Sequence, residues 1–167
     1  MKITVEYEGQ PIVVDIPDET LKKIAGSQKK KTGWEKLERS REYWYVTTSA
    51  GIDRNVEVGD VVDGWRYDCG NYFASKELAE NISRYQSLDL RIRRRIAEIC
   101  EPVIRGTEWR YDIEYDYEDK HCIIHSGMKF AESSWYCDTR EHAEQIIEEF
   151  KDELTWYFTE FKDRMDG

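Results

Sequence analysis

Two twelve-residue segments of the chain resemble each other closely. Residues 71–82 read NYFASKELAENI, and residues 135–146 read WYCDTREHAEQI, so that Ser75 in the first segment matches Thr139 in the second. In each segment, aromatic residues that favour a strand precede this hydroxyl residue, which can cap a helix, and acidic residues follow in the first helical turn. The segments therefore predict a strand that runs directly into a helix, present twice as an internal repeat.

This repeat predicts an α+β fold class built around two related units. Each unit is expected to contain antiparallel strands followed by one long helix that lies on a sheet face. Ahead of them, the alternating residues 2–7 and the β-rich residues 12–16 predict an N-terminal β-hairpin, with a short helix after it. The predicted domains are 1–26 for the hairpin and short helix, 27–33 for a polar linker, and 34–167 for the two-repeat domain, divided into 34–104 and 105–167.

Strands in the first unit are predicted from aromatic and β-branched content. The sequence EYWYVTT at 42–48 predicts one strand, and residues 65–73 predict its return partner. The intervening glycines and acids predict a long loop with one short extended piece at 55–58. A helix is then expected to begin near Ser75 and to end just ahead of Pro102, because apolar residues recur at helical spacing and proline cannot continue a helix.

The second unit contains the clearest alternation in the chain. Residues 109–118, WRYDIEYDYE, place aromatic and aliphatic residues on one face of a strand and charged residues on the other. We expect the aromatic face to be core and the charged face to meet water. Further strands are predicted at 121–126 and 130–137, and one final helix is predicted from Thr139 to about Arg164.

The net charge of −10 is concentrated in the last third of the chain. Residues 1–106 hold 18 basic and 18 acidic side chains, whereas residues 107–167 hold 7 basic and 17 acidic ones. Such a surface disfavours direct contact with nucleic acid or anionic membranes and favours a basic protein partner. Because no stretch has the apolar character of a signal peptide or a membrane span, we expect a cytoplasmic protein.

Carboxylates on alternate positions of the 109–118 strand are the first candidate site. They could bind the metal ion of a nuclease, but alternate strand residues lie about 6.7 Å apart, and the sequence shows no histidine or lysine expected to complete such a site. We favour an interaction surface in which these acids and those of the final helix form one negative ridge that mimics nucleic acid. The predicted partner-binding residues are Asp112, Glu114, Asp116, Glu118, Glu148, Glu149 and Asp152.

A cluster of arginines on the first long helix is the second candidate. Arg91, Arg94 and Arg95 fall within about one and a half helical turns. They could bind a phosphate, but no glycine-rich or aromatic sequence surrounds them. We therefore expect ion pairs with the acidic C-terminal helix, with anion binding as the alternative.

No residue pattern indicates catalysis or a bound cofactor. Glycine-rich phosphate loops, nucleophile-elbow motifs and His-Glu-x-x-His are missing from the sequence. In a strand, His121 and His125 would stand about 13 Å apart with Cys122 on the opposite face, so one ion could not bind all three. We predict no catalytic residue, no cofactor and no metal, and we expect four buried free thiols: Cys69, Cys100, Cys122 and Cys137.

Four segments of the chain carry a resemblance to known proteins: TGWE at 32–35, EYWYV at 42–46, RYDCGNYFASKELAE at 66–80 and FKDELTWYFTEF at 150–161. Together they resemble a group of small, functionally unassigned proteins carried by phages and prophages of Gram-positive bacteria. The resemblance covers most of the chain after residue 30, and its most specific parts are the GNYF-to-helix junction and the final aromatic helix.

This resemblance implies a phage setting and no particular reaction. We expect a non-enzymatic accessory protein that acts in the host cytoplasm as an inhibitor of an antiviral defence system, in the manner of an anti-CRISPR protein. Its expected partner is a host protein with a basic nucleic-acid-binding surface. Two alternatives stay open: a binding protein that sequesters a nucleotide signal with Arg91 and Arg94, and a metal-dependent nuclease that uses Asp112, Glu114 and Asp116.

Overall fold

The computed structural model describes most of the chain as a mixture of helices and antiparallel sheets. The described residues are 2–7, 10–15, 17, 19, 31–101, 109–127 and 135–164. The chain divides into two compact units, Met1–Thr32 and Gly33–Met165. The predicted α+β class is confirmed.

The first unit contains the predicted N-terminal hairpin. Strands β1 (Lys2–Tyr7) and β2 (Gln10–Asp15) pair antiparallel, with Thr4 opposite Val13. The hairpin is therefore confirmed. Most of the short helix predicted before residue 26 and most of the linker at 27–33 lie outside the described residues.

The second unit opens with a hairpin whose return strand differs from the prediction. Strand β3 (Glu42–Val46) pairs with β4 (Ile52–Val56), and Phe73 forms a single bridge to Trp44 on the other edge of β3. The strand predicted at 65–73 is wrong, because residues 65–68 belong to helix α1 (Val61–Asp68) and residues 69–72 form neither helix nor strand. Aromatic content suggested a strand there, whereas a capping signal just upstream starts a helix.

Helix α2 (Lys76–Ile99) is the long helix predicted after Ser75. The Ser75 hydroxyl accepts a hydrogen bond from the Leu78 N–H, and the helix ends at Cys100, ahead of Pro102. Its 24 residues correspond to about 36 Å of length. The helix therefore contributes to two separate apolar clusters, one around Phe73 near its start and one around Ile92 near its end.

The second sheet has the strand order β6-β5-β7. Its strands are β5 (Arg110–Asp116), β6 (His121–Gly127) and β7 (Tyr136–Cys137), all antiparallel. Residues 130–134 of the third predicted strand lie outside the described residues. Ile113 and Cys137 are buried in the larger apolar cluster, so the middle of the aromatic face is core, as the alternation predicted. At the two ends of that face the prediction is wrong, because Trp109 and Tyr117 are 61% and 68% exposed.

The single final helix predicted from Thr139 is instead two helices. Helix α3 (Arg140–Glu149) begins at a Thr139 cap, and α4 (Lys151–Thr159) follows after Phe150, whose φ of −113° and ψ of 20° depart from helical values. The ring of Phe150 is buried in the larger cluster, and the backbone bends where this ring enters the core. Within the described part of the chain, no helix has both the length and the apolar character needed to span a bilayer.

Candidate functional site

Helix α1 has an inverted distribution of polar and apolar residues. Its one buried residue is Asp63, with 0% of its surface exposed, whereas Val61 and Trp65 are 61% and 66% exposed. A surface helix normally turns its apolar residues inward, because burying such a side chain stabilises the fold by about 1.5–3 kcal/mol. Together with exposed Val62 and the preceding Val58, these side chains form what we call the apolar patch: Val58, Val61, Val62 and Trp65.

The buried carboxylate of Asp63 holds α1 in this orientation. One oxygen accepts a hydrogen bond from the Tyr43 hydroxyl at 2.7 Å, and the other accepts from the N–H groups of Val58 and Gly59 at 2.8 and 3.0 Å. Burial opposes ionisation, but these donors outweigh it and lower the pKa of Asp63. The carboxylate is therefore charged at neutral pH and accepts hydrogen bonds from a loop that would otherwise have buried, unsatisfied donors.

A capping box starts α1 beside this carboxylate. The side chain of Asp60 accepts hydrogen bonds from the N–H groups of Val62 and Asp63 at 2.8 and 2.9 Å, and Asp63 reaches back to the N–H of Asp60. The signal Asp-x-x-Asp was present in the sequence, but the prediction assigned these residues to a loop. Reading it as a capping box would have located the helix.

A second buried carboxylate, Glu57, fixes the loop that leads into α1. Glu57 is 2% exposed, and it accepts hydrogen bonds from the Gly59 N–H at 2.8 Å and from the Tyr72 hydroxyl at 2.9 Å. The Tyr72 ring stacks on that of Tyr43, with centroids 4.0 Å apart. Burial raises the pKa of Tyr72, so its hydroxyl stays protonated and donates. The loop and α1 are thus held by two tyrosines from other elements.

Arg66, which lies in α1, adds a further hydrogen bond to the buried polar network of Asp63, Glu57, Tyr43 and Tyr72. Its guanidinium donates to the Tyr43 hydroxyl at 2.7 Å and lies 3.7 Å from the centre of the Tyr45 ring. The inward face of α1 is consequently polar and hydrogen-bonded, which lets its outward face be apolar. A surface held this rigidly loses little conformational entropy when a partner binds.

Comparison with known proteins provides no relative from which a function could be transferred. No family model, curated protein or solved structure matches this chain. The geometry of the described residues is therefore the basis for assigning a function.

The carboxylates of the predicted ridge do not lie on one surface. Asp112 is only 7% exposed, so the expectation that the charged strand face meets water is wrong at this end, whereas Glu114 is exposed. Helices α3 and α4 pack on the opposite sheet face, where Ile113 joins the core and the Tyr115 ring stacks on that of Phe158. The sheet therefore separates the strand carboxylates from three exposed helix acids: Glu148, Glu149 and Asp152.

The acids near the turn after β5 have local roles. Asp116 accepts hydrogen bonds from the N–H groups of Glu118 and Asp119 at 2.8 and 3.1 Å, and these bonds lower its pKa. Glu118 is exposed. Asp116 therefore stabilises the β5–β6 turn. The other exposed acids predicted to bind a partner do not form one continuous surface.

Two of the three candidate anion-binding arginines form ion pairs with the C-terminal helices. Arg91 pairs with Glu153, and Arg95 donates to Glu149 at 2.8 Å. The ion pairs expected from the sequence are present, and Arg94 is exposed between them. Because the guanidinium groups of Arg91 and Arg95 already contact carboxylates, the cluster does not form a convergent anion site.

Strand pairing creates one cluster that the sequence analysis did not anticipate. His125 lies opposite Asp112, with its Nδ1 3.3 Å from Oδ1 of the carboxylate. A carboxylate oxygen of Glu114 is a third possible metal ligand, and the three ligand atoms lie within 4.8 Å of one another. The expectation that no histidine lies beside these carboxylates is therefore wrong. Asp116 is not part of this group, since it lies opposite His121. An oxygen-rich group of this kind could bind a divalent cation.

An open cleft in the described part of the chain lacks the side chains that a nucleotide-binding site needs. Its volume is about 350 Å³, and Thr47, Asn71 and Gln86 are among its lining residues. None of the lining residues is charged or aromatic. Phosphate recognition and base stacking, which the nucleotide-binding alternative requires, therefore have no support in this cleft.

Proposed function

We propose that this protein is a non-enzymatic binding protein that contacts a protein partner through the apolar patch. The observation that carries the proposal is the inversion of α1, which buries Asp63 and exposes Val61 and Trp65. Large apolar side chains exposed together on one helix are typical of a protein-binding site, and tryptophan is enriched among residues that dominate binding energy.

Charge around the patch indicates the chemistry of the partner. Asp60 and Asp68 are exposed on either side of the apolar residues, since Asp60 precedes Val61 and Asp68 lies one turn beyond Trp65. The net charge of −10 adds long-range attraction for a basic surface. The best fit is a protein with an apolar recess bordered by lysine or arginine.

The wider role that we propose is the one implied by the resemblance to phage proteins. A phage-encoded inhibitor of a host defence system would act by occupying the basic nucleic-acid-binding surface of its target. The apolar patch would supply most of the affinity, and separate acidic groups such as Glu114 and Glu148 would speed association. This division of roles replaces the continuous nucleic-acid-mimicking ridge.

The test compares two tryptophans of similar exposure. A host protein retained by the immobilised wild type from a Gram-positive lysate would be purified and its affinity measured by calorimetry. Trp65→Ala should weaken binding by about 2 kcal/mol, or roughly 30-fold. Trp109→Ala is the matched control, because Trp109 is 61% exposed but lies outside α1. The Trp109→Ala variant should bind the host protein with the affinity of the wild type. Equal affinity of the Trp65 variant, or no retained protein, would refute the proposal.

The Asp112, Glu114 and His125 cluster supports a second candidate function, metal-dependent hydrolysis of a phosphodiester. Carboxylates and imidazole within 4.8 Å of one another could hold a cation that activates water. Incubation of single- and double-stranded nucleic acids with Mg²⁺ or Mn²⁺ tests it. Cleavage by the wild type that is lost in Asp112→Asn would establish it, and intact substrate would eliminate it.

We also infer that the two halves of the larger unit arose by duplication. In support, each half has a hairpin whose first strand pairs on its other edge with the predicted repeat segment, through Phe73 in one half and Cys137 in the other. Ser75 and Thr139 then cap the following helices in the same manner. A family of homologous sequences that aligned one half with the other would test this inference.

A further inference from the structure

Three different metal-binding side chains meet where α2 ends and α3 begins. Cys100 is the C-terminal cap residue that follows α2, Asp138 follows β7, and His142 lies in the first turn of α3. A sulfur, a carboxylate oxygen and an imidazole nitrogen from these residues all lie within 4.8 Å of one another. The residues are distant in sequence, so no spacing motif announces them.

The carboxylate of Asp138 is the centre of this group. Its Oδ1 lies 2.6 Å from Nδ1 of His142, and its Oδ2 accepts a hydrogen bond from the N–H of Glu101 at 2.9 Å. The sulfur of Cys100 lies within 4.8 Å of a carboxylate oxygen of Asp138. The backbone N–H of Glu101 thus orients Asp138, just as hydrogen bonds from groups outside the coordination sphere orient the ligands of metal sites.

The arrangement differs from that of a catalytic cysteine. In a cysteine nucleophile the imidazole contacts the thiol and removes its proton. Here His142 is hydrogen-bonded to the carboxylate instead, and burial raises the pKa of Cys100. Activation of the thiol by His142 therefore does not explain why these groups converge.

We propose that Cys100, Asp138 and His142 bind a divalent transition-metal ion of the zinc class, which links the end of α2 to the start of α3. Zinc prefers sulfur, nitrogen and carboxylate ligands, whereas calcium and magnesium prefer oxygen alone. Ligand atoms around tetrahedral zinc lie about 3.5 Å apart, so side-chain rotation would open the 2.6 Å contact between Asp138 and His142 to make room for the ion. On binding, the Cys100 thiol releases its proton to solvent. The proton that His142 Nδ1 shares with Asp138 leaves that nitrogen, so that the neutral imidazole carries its one proton on Nε2.

The three ligands are partly accessible, which gives an ion a path of entry. The side chains of His142 and Asp138 are 32% and 16% exposed, and Cys100 is half-buried. The fourth position is open to water, as in zinc sites with three protein ligands. This site is separate from the apolar patch, so the inference does not depend on the proposed binding function.

Titration of the reduced, chelator-treated protein with Zn²⁺ and with Co²⁺ tests the site. We expect one ion per chain and a thiolate-to-cobalt absorption band. Cys100→Ser should abolish that band, and Cys100→Ser and His142→Ala should each weaken Zn²⁺ binding by at least roughly 10-fold. Cys122→Ser, which changes a half-buried thiol on β6, should leave the affinity unchanged.

Three results would overturn the proposal. The first is the failure of the reduced wild type to bind Zn²⁺ in a one-to-one ratio. The second is binding that persists unchanged in both Cys100→Ser and His142→Ala, with their circular dichroism spectra matching that of the wild type. The third is binding that is lost in His125→Ala instead, which would place the ion on the β5–β6 sheet.

Discussion

The hydroxyl of Tyr43 lies 2.7 Å from Oδ1 of Asp63, and this bond joins the first hairpin of the larger unit to the one buried side chain of α1. Through it, a strand residue determines which face of a helix meets solvent. The consequence is an apolar surface held in place by a polar interior. Whether that interior is structural can be tested independently of any partner.

Replacing Asp63 by alanine should lower the free energy of unfolding by about 3 kcal/mol. The substitution leaves the Tyr43 hydroxyl and the loop N–H groups of Val58 and Gly59 without their acceptor in a buried site. Urea unfolding measures the change. Asp68→Ala, which removes an exposed carboxylate from the same helix, should change stability by less than about 0.5 kcal/mol. Equal stability of the two variants would show that the network does not support α1.

Two glycines near α1 should respond to alanine in opposite directions. Gly59 has a φ of +76°, and a Cβ there would lie 2.9 Å from the Arg39 guanidinium, so Gly59→Ala should destabilise the protein by about 1–2 kcal/mol. Gly64 lies within the helix with open space around it, so Gly64→Ala should stabilise by about 0.5–1 kcal/mol. Thermal unfolding of both variants provides the comparison. A stabilising effect at Gly59 would contradict the positive φ.

Trp65 and Trp156 should differ sharply in their effect on stability. Trp65 is 66% exposed, so Trp65→Ala should change the free energy of unfolding by less than about 0.5 kcal/mol. Trp156 is 6% exposed within the larger cluster, so Trp156→Ala should cost about 3–5 kcal/mol. Chemical denaturation followed by circular dichroism measures both. A large loss in the Trp65 variant would mean that this side chain packs in the fold and is not free to bind a partner.

The Asp138 carboxylate should make stability depend on pH in the acid range. Burial opposes its ionisation, but hydrogen bonds from His142, the Glu101 N–H and Cys100 lower its pKa to about 2, below the 3.8 of an unperturbed aspartate. Because the pKa is lower in the folded protein than in the unfolded chain, the carboxylate stabilises the folded state fully when the pH is above the pKa of the unfolded chain. This contribution disappears as the pH falls through the pKa of the folded protein. We expect about 2 kcal/mol at pH 5 that is progressively lost between about pH 4 and pH 2.

Unfolding of metal-free wild type and Asp138→Asn across this range measures the effect. The difference in stability between them should be largest at pH 5 and should close toward pH 2. Glu118→Gln, which neutralises an exposed acid, serves as the control and should follow the wild type. A difference that stays constant with pH would show that the carboxylate's charge is not what stabilises this junction.

The candidate site was less predictable than the elements around it. Asp60 and Asp63 carry a recognisable capping box, yet the aromatic residues that follow, including Trp65 and Tyr67, favour a strand by composition. The segment forms a helix because Asp63 then accepts buried hydrogen bonds from Tyr43 and the loop. Local propensity does not take account of these contacts, since Tyr43 is distant in the sequence. The ion pairs of Arg91 and Arg95 were predictable, since long helices of opposite charge in one small unit tend to meet.

By itself, the sequence determined the element types wherever a pattern was long and regular: the β1–β2 hairpin, β3, the alternating β5 and the capped α2. These follow from periodicity and capping, which act between residues a few positions apart. Only the tertiary structure decided that Asp112 is buried, that His125 lies beside it, and that Cys100 meets Asp138 and His142. Those outcomes depend on strand register and helix packing, because a side chain's surroundings are set by residues far along the chain that only the folded core brings near.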